Sequence, residues 1–226
     1  MSILVIGSFM MDLVVRTPRA PEDGETIIGD NFSRFPGGKG ANQAVAAARL
    51  NEKVTMIGKL GGDQFGDEAI KTLINEGIDT KYLLQDFNEN TGVGLVTLER
   101  NGNNRIIVVP GANLRYSVTD LEKVKEVIKA SKILIVQLEM DIEMVEKAVS
   151  MANYYHTPVI LNPAPARELS DKLLSQVTYL TPNETEVEIL TGIKVNEIGD
   201  AENAGKVLLK KRSKKTSLLH WLKKDH

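Results

Sequence analysis

The residues of this chain best suited to chemistry are concentrated in Gly37-Gly38-Lys39-Gly40-Ala41-Asn42-Gln43. Phe35-Pro36 precedes this block, and the small apolar stretch 44–50 predicts a helix after it. Two glycines without Cβ atoms let a backbone approach a ligand closely. A helix that opens there presents free N–H groups and a positive dipole end, which suits polar or anionic ligands. Lys39 adds a point charge, and Asn42 offers a donor and an acceptor one turn in. Gly40 follows Lys39 where Ser or Thr would hold magnesium, so this is not a Walker A loop. A tight strand-to-helix turn is the structural alternative.

Two carboxylates stand after strand-like runs. Asp12 follows the first run, residues 3–7, by five positions. Ligands of open α/β sheets bind outside the carboxyl ends of strands, where Asp12 would accept hydrogen bonds from ligand hydroxyls. A turn aspartate is the plain alternative. Gln137-Leu138-Glu139 ends the strongest apolar run, 132–138. A carboxylate there is costly unless it is partnered or faces a crevice, and the crevice reading is preferred to a surface glutamate.

Three further loops carry polar groups. Asn162-Pro163-Ala164-Pro165-Ala166-Arg167 follows a strand, and its prolines fix a rigid wall or simply a loop. Thr181-Pro182-Asn183-Glu184-Thr185-Glu186 leaves a strand and opens a helix. Asn183 and Glu186 have capping spacing. They are also suited to organise water around a magnesium–phosphate complex, with Glu186 meeting the metal through water. Gly61-Gly62-Asp63 precedes a helix over Gln64–Asn75, and Asp63 reads as its N-cap.

The elements that must position these groups alternate. Strands are predicted at 3–7, 53–58, 132–138, 158–162 and up to Thr181, with helices at 118–130, 142–155, 183–191 and 201–211. That rhythm predicts a doubly covered parallel α/β sandwich. Residues 25–35 and the pair 91–99 and 105–110 around Asn101-Gly102-Asn103-Asn104 break it. They predict a small antiparallel sheet beside the main one, covering a site or contacting a subunit.

Composition excludes much else. With 226 residues, 42% of them hydrophobic, the chain suffices for one substantial domain. It has no cysteine, so no disulfide, thiolate metal site or cysteine nucleophile is available. His156 is alone in the body of the chain and reads as a solvated loop residue, which argues against a histidine-rich metal site or a Ser-His-Asp triad. Seven of the 28 Lys and Arg lie in 210–226, against one of the 30 acids, so residues 1–209 carry a net charge of −8. Such a body is a poor nucleic-acid binder. No apolar run approaches the ~20 residues that span a membrane, and the N-terminus is a poor secretory signal, so a cytoplasmic enzyme is expected.

Taken together the blocks resemble the ribokinase group of the PfkB-type carbohydrate kinase family. The resemblance runs from Ile3 to about Leu209. It is carried by Gly7-Ser8 with Asp12, the block 37–44, Gly61-Gly62-Asp63 with Gly66, Thr91-Gly92, Gly111-Ala112-Asn113, Gln137-Leu138-Glu139, Asn162-Pro163-Ala164-Pro165-Ala166 and Pro182-Asn183-Glu184-Thr185-Glu186. It implies a Rossmann-like domain over 1–211, with lid segments at about 13–36 and 91–110 that also form a homodimer contact. It implies transfer of the ATP γ-phosphoryl group to the 5-hydroxyl of D-ribose, with Mg²⁺ entering with ATP and K⁺ activating. Sugar-binding positions would be Met10, Asp12, Gly38, Lys39, Gly40, Ala41, Asn42 and Glu139. Asn183 and Glu186 would lie near the phosphates and magnesium. Met10 departs from the asparagine of many relatives.

The resemblance also implies a later Gly-Ala-Gly-Asp block that supplies the anion hole and catalytic aspartate, with the potassium site nearby. No Gly-x-Gly-Asp occurs in these 226 residues, so no catalytic base is assigned. A non-catalytic sugar-binding fragment, or a kinase of another sugar or nucleoside, are the alternative expectations. Residues 212–226 form an atypical basic tail holding the single tryptophan and two of three histidines. It is expected to be the out-of-frame end of a shifted reading frame, with a genuine alternative tail as the other reading.

Overall fold

The computed structural model describes residues 2–211, so the tail at 212–226 lies outside the described residues. The chain runs β1 (Ile3–Ile6), β2 (Met10–Thr17), β3 (Asn31–Gly37), α1 (Lys39–Arg49), β4 (Val54–Gly61), α2 (Gln64–Asn75), β5 (Asp79–Asp86), β6 (Gly92–Glu99) and β7 (Asn104–Val109). A 3₁₀ turn (Gly111–Arg115) leads to α3 (Val118–Glu122), α4 (Lys125–Ala130), β8 (Ile133–Val136), α5 (Ile142–Tyr154), β9 (Val159–Leu161), α6 (Asp171–Gln176), β10 (Tyr179–Leu180), α7 (Glu184–Thr191) and α8 (Ile198–Lys211).

The main sheet is parallel, in the order β10-β9-β8-β1-β4-β5. β1 is central, and its alternate side chains serve two layers. Leu4 and Ile6 join an apolar cluster with Leu121, Val145 and Leu173 from the helices α3, α5 and α6. Val5 joins a second cluster with Ala44 of α1 and Leu73 of α2. Helices therefore cover both faces, which is why β1 and β8 read as continuous apolar runs.

The second sheet has the order β3-β2-β6-β7. It is mixed rather than antiparallel as predicted, because β2 and β6 pair in parallel while β3 and β7 return antiparallel on the outside. The cause is connectivity. β2 follows β1 and β6 follows β5 after short links, so both leave parallel strands in the same sense and run side by side.

Other expectations shift for local reasons. α1 starts at Lys39, not at 44, so the Lys39–Asn42 stretch is itself the first turn. The helix predicted at 118–130 is two, broken where Val124 leaves helical geometry at φ −110° and ψ 13°. The strand predicted at 25–35 begins at Asn31. β2 and β5 are strands that the sequence pattern did not disclose. Among the described residues no helix is long and apolar enough to cross a membrane.

Candidate functional site

The site is built where β1, β8 and α1 meet. Glu139 follows β8, and its Oε2 accepts the Lys39 backbone N–H at 2.8 Å and the Ser8 hydroxyl at 2.5 Å. A carboxylate on a helix N-terminal amide is favoured by the unpaired N–H groups and the dipole there. The fully buried Ser8 holds the same turn with its carbonyl, which accepts the Ala41 N–H at 2.9 Å. The Gly40 N–H lies 3.4 Å from the Ser8 hydroxyl, and the Asn42 N–H reaches the Gly38 carbonyl at 2.9 Å. The amides expected to face a ligand are thus engaged within the protein. The side chain of Asn42 is exposed, and that of Lys39 half-buried.

The glycines serve close approach of chain to chain. Gly38, at φ 91°, passes so near β2 that a Cβ would meet the Met10 nitrogen at 2.7 Å. A Cβ on Gly40 would lie 2.6 Å from the Gly7 carbonyl carbon.

Asp12 lies inside β2 rather than at the end of a main-sheet strand as expected. Its neighbours Gly37 and Gly94 leave room for the carboxylate, since a Cβ on either would lie 2.4 Å from a carboxylate oxygen. No donor among the described residues hydrogen-bonds to this half-buried carboxylate. Burial first, and the charge of Glu139 second, raise its pKa above the ordinary value of 3.8. Asp12 and Glu139 thus share one electrostatic environment although they belong to different sheets. A pair of carboxylates with one left unpartnered suits a polyhydroxylated neutral ligand, whose hydroxyls donate.

Two side chains, the buried Asn113 and the half-buried Asp63, fix how the sheets join. Asn113 accepts the Phe9 N–H at 3.0 Å, and its Nδ2 donates to the Phe9 and Pro110 carbonyls, each at 2.8 Å. It acts as a one-residue strand partner at the β1–β2 crossing. Asp63 caps α2 through the Gly66 N–H at 2.8 Å, as expected, and also accepts the Thr91 N–H at 2.8 Å and hydroxyl at 2.7 Å. Burial alone would raise its pKa, but these hydrogen bonds outweigh it and hold the group below the ordinary value.

A chain of amides runs under the site. Gln137 donates to Gln43 at 2.6 Å, Gln43 to Asn162 at 3.4 Å, and Asn162 to the Thr181 carbonyl at 3.1 Å. The carbonyl end only accepts, which sets the direction of the chain and leaves Gln137 Oε1 buried without a partner. Beyond it, Asn183 and Glu186 form a reciprocal capping box on α7, both bonds at 2.9 Å. Glu186 is 5% exposed. Among the described residues no three His, Asp or Glu side chains gather as a metal cage.

The structure therefore brings Asp12, Lys39 and Glu139 together around the N-terminus of α1, with Met10 at the start of the same strand as Asp12. Asn183 and Glu186 join them only through the strand ends. Sequence reading assigned no role to Ser8, Gln43 or Asn113. For Ser8 a signal was available, since it is a polar residue beside a glycine at the end of a predicted strand, where a buried hydrogen bond must find its partner; Gln43 inside a helix and Asn113 beyond a strand end carried no such signal.

Residues 1–218 match the family described as pfkB family carbohydrate kinase. The chain belongs to that family. Among similar proteins, Deoxyribokinase of Salmonella typhi is 40% identical over 93% of this pfkB-family chain and 69% of its own length. Ribokinase of Bacillus subtilis is 42% identical over 84% of this chain and 64% of its own length. The chain thus spans about two thirds of these relatives. Among solved structures, Arabidopsis thaliana ribokinase complexed with ribose and ATP superposes with a TM-score of 0.88 at 29% identity, covering 97% of this chain and 72% of that one. Ribokinase from Thermotoga maritima gives 0.85 at 29% identity, covering 97% and 71%.

Proposed function

We propose that this pfkB-family protein is an ATP-dependent pentose kinase, transferring the γ-phosphoryl group to the 5-hydroxyl of a sugar of the D-ribose type and releasing the pentose 5-phosphate. The observation that carries this reading is Asp12, a half-buried carboxylate without a protein donor, facing glycines and coupled to Glu139. Asp12 accepts sugar hydroxyls, with Glu139, Lys39, Asn42 and the glycine–alanine turn 38–41 forming the opposite wall. The resemblance to a ribokinase bound to ribose and ATP supports the same assignment.

Asn183 and Glu186 stand on the phosphate side. Mg²⁺ would enter with ATP, held by phosphate oxygens and water, and one capped carboxylate on α7 suits that role better than a protein cage would. K⁺ is the expected activating ion. The small sheet, with segments at about 13–36 and 91–110, serves as a lid. Its exposed Phe32, Leu95 and Ile107 on the face away from Asp12, and Phe35 and Ile106 on the Asp12 face, are the apolar side chains available to a second copy. A cytoplasmic location and a lack of nucleic-acid or membrane partners fit the acidic body.

A thermal-shift panel of pentoses, hexoses and nucleosides tests the substrate class. Stabilisation by a pentose above that by any hexose or nucleoside is expected. Stabilisation by a nucleoside or hexose alone would overturn the reading.

A further inference from the structure

Asp63 makes more hydrogen bonds than the start of a helix needs. The cap of α2 is made by the Gly66 N–H on Oδ1 at 2.8 Å, and a serine would supply that bond as well. The carboxylate also takes the Thr91 N–H on Oδ2 at 2.8 Å and the Thr91 hydroxyl on Oδ1 at 2.7 Å. That hydroxyl in turn accepts the Gly61 N–H at 2.9 Å. Thr91 is 2% exposed and lies 28 residues beyond Asp63. Hydrogen bonds to an ionised group are shorter and stronger than neutral ones, so two of them hold Thr91 at one point.

Thr91 is the last residue before β6. The chain is crowded there. A Cβ on Gly61 would lie 2.2 Å from the Thr91 nitrogen, and one on Gly92 would lie 2.5 Å from Asn113 Nδ2. The 3₁₀ turn after β7 returns to the same junction, where the Ala112 N–H reaches the Asn90 carbonyl at 2.8 Å. From this root the β2–β6 register runs unbroken, with Gly92 opposite Met10 and Gly94 opposite Asp12. Gly94 is three residues from Thr91, about 10 Å along the strand. A shift of the root therefore reaches the glycine that leaves room for the Asp12 carboxylate.

We propose that Asp63 is a positioning residue of the sugar site, acting through Thr91: it fixes the root of β6 and so the placement of Gly94 against Asp12. This rests on the pentose-kinase reading above. Capping alone accounts for one of the three bonds, and the two to Thr91 serve the small sheet rather than α2.

Calorimetric titration of the 226-residue protein with D-ribose and with 2-deoxy-D-ribose is the test, repeated on Asp63→Ser, Thr91→Val, Thr91→Ser and the double variant Asp63→Ser/Thr91→Val. Serine at 63 keeps the cap but is too short to hold Thr91. Valine at 91 keeps the shape and loses the hydroxyl, whereas serine at 91 keeps the hydroxyl. For the sugar bound more tightly by the parent, affinity should fall about tenfold or more in Asp63→Ser and in Thr91→Val. Thr91→Ser should stay within about threefold of the parent, and the double variant should lose no more than the weaker-binding single one, because both changes break one tie. A role confined to stability would lower the melting temperature and leave the affinity of the folded protein unaltered. Parent-like affinity in folded Asp63→Ser or folded Thr91→Val would thus overturn the proposal. So would additive losses in the double variant, or a loss in Thr91→Ser as large as in Thr91→Val. If Asp63→Ser does not fold, the two Thr91 variants decide. Binding of neither sugar by the parent would instead overturn the pentose-kinase reading, and this inference with it.

Discussion

Gly94 stands directly opposite Asp12 across the β2–β6 ladder, and a Cβ at Gly94 would come within 2.4 Å of Asp12 Oδ1. The glycine is what lets a carboxylate lie flat on this face of the small sheet. Gly94→Ala should leave the sheet intact, since Gly94 is not among the positive-φ residues. It should displace the Asp12 carboxylate and weaken pentose binding by about tenfold or more, the scale of one misdirected charged hydrogen bond. Parent-like affinity in a folded Gly94→Ala protein would show that the position of Asp12 does not matter.

The raised pKa of Asp12 has a consequence for stability. Its folded pKa exceeds the unfolded value of 3.8, so the native state holds the proton more tightly. The stability this group contributes is therefore lost as pH rises from the unfolded to the folded pKa. At neutral pH the ionised group is a cost. Asp12→Asn should raise the melting temperature at pH 7 while pentose affinity is lost, and in the parent pentose affinity should fall as pH drops through the raised pKa. A lower melting temperature for Asp12→Asn would mean that Asp12 holds the fold rather than a ligand.

Asn113 couples the fold to the site. Replacing it with Ala leaves the Phe9 N–H and two carbonyls unpaired in the interior, at a cost of about 2–4 kcal/mol. Asn113→Asp keeps an acceptor for Phe9 and loses the donor. Chemical denaturation should place Asp between parent and Ala. Amide exchange at residues 9–12 should accelerate in both variants, and unaltered exchange there would remove the role in setting β2.

The capping box of Asn183 and Glu186 separates stability from phosphate binding. Asn183→Ala should cost about 1 kcal/mol through the lost cap. Glu186→Gln keeps an acceptor for the Asn183 N–H, so its melting temperature should stay near the parent's while Mg-ATP affinity falls. Unchanged nucleotide affinity would leave the pair as a cap alone.

The sequence disclosed most of the main sheet for a physical reason. Strands buried on both faces, such as 133–136, are uniformly apolar, and a helix with an Asp63 cap and a single stripe announces itself over Gln64–Asn75. β2 stayed hidden because Asp12 interrupts Met10-Met11-Asp12-Leu13-Val14-Val15, and a charge inside a run reads as a turn. That charge is tolerated only because Gly37 and Gly94, distant in sequence, clear space for it. Likewise Glu139 was legible as a costly strand-end carboxylate, but its partners Ser8 and Lys39 are 131 and 100 residues away. The glycines of 37–40, read as ligand contacts, also let α1 approach β1 and β2, a role that only the tertiary fold discloses.

The central claim is that Asp12 and Glu139, carried by different sheets, are two walls of one sugar site. Calorimetric titration of a pentose into the parent, Asp12→Asn and Glu139→Gln proteins, each shown to be folded, tests it most directly. Measurable binding by the parent is expected, with at least tenfold loss in each variant, as removal of a charged hydrogen bond to a ligand produces. Affinity within threefold of the parent in either folded variant would contradict the claim.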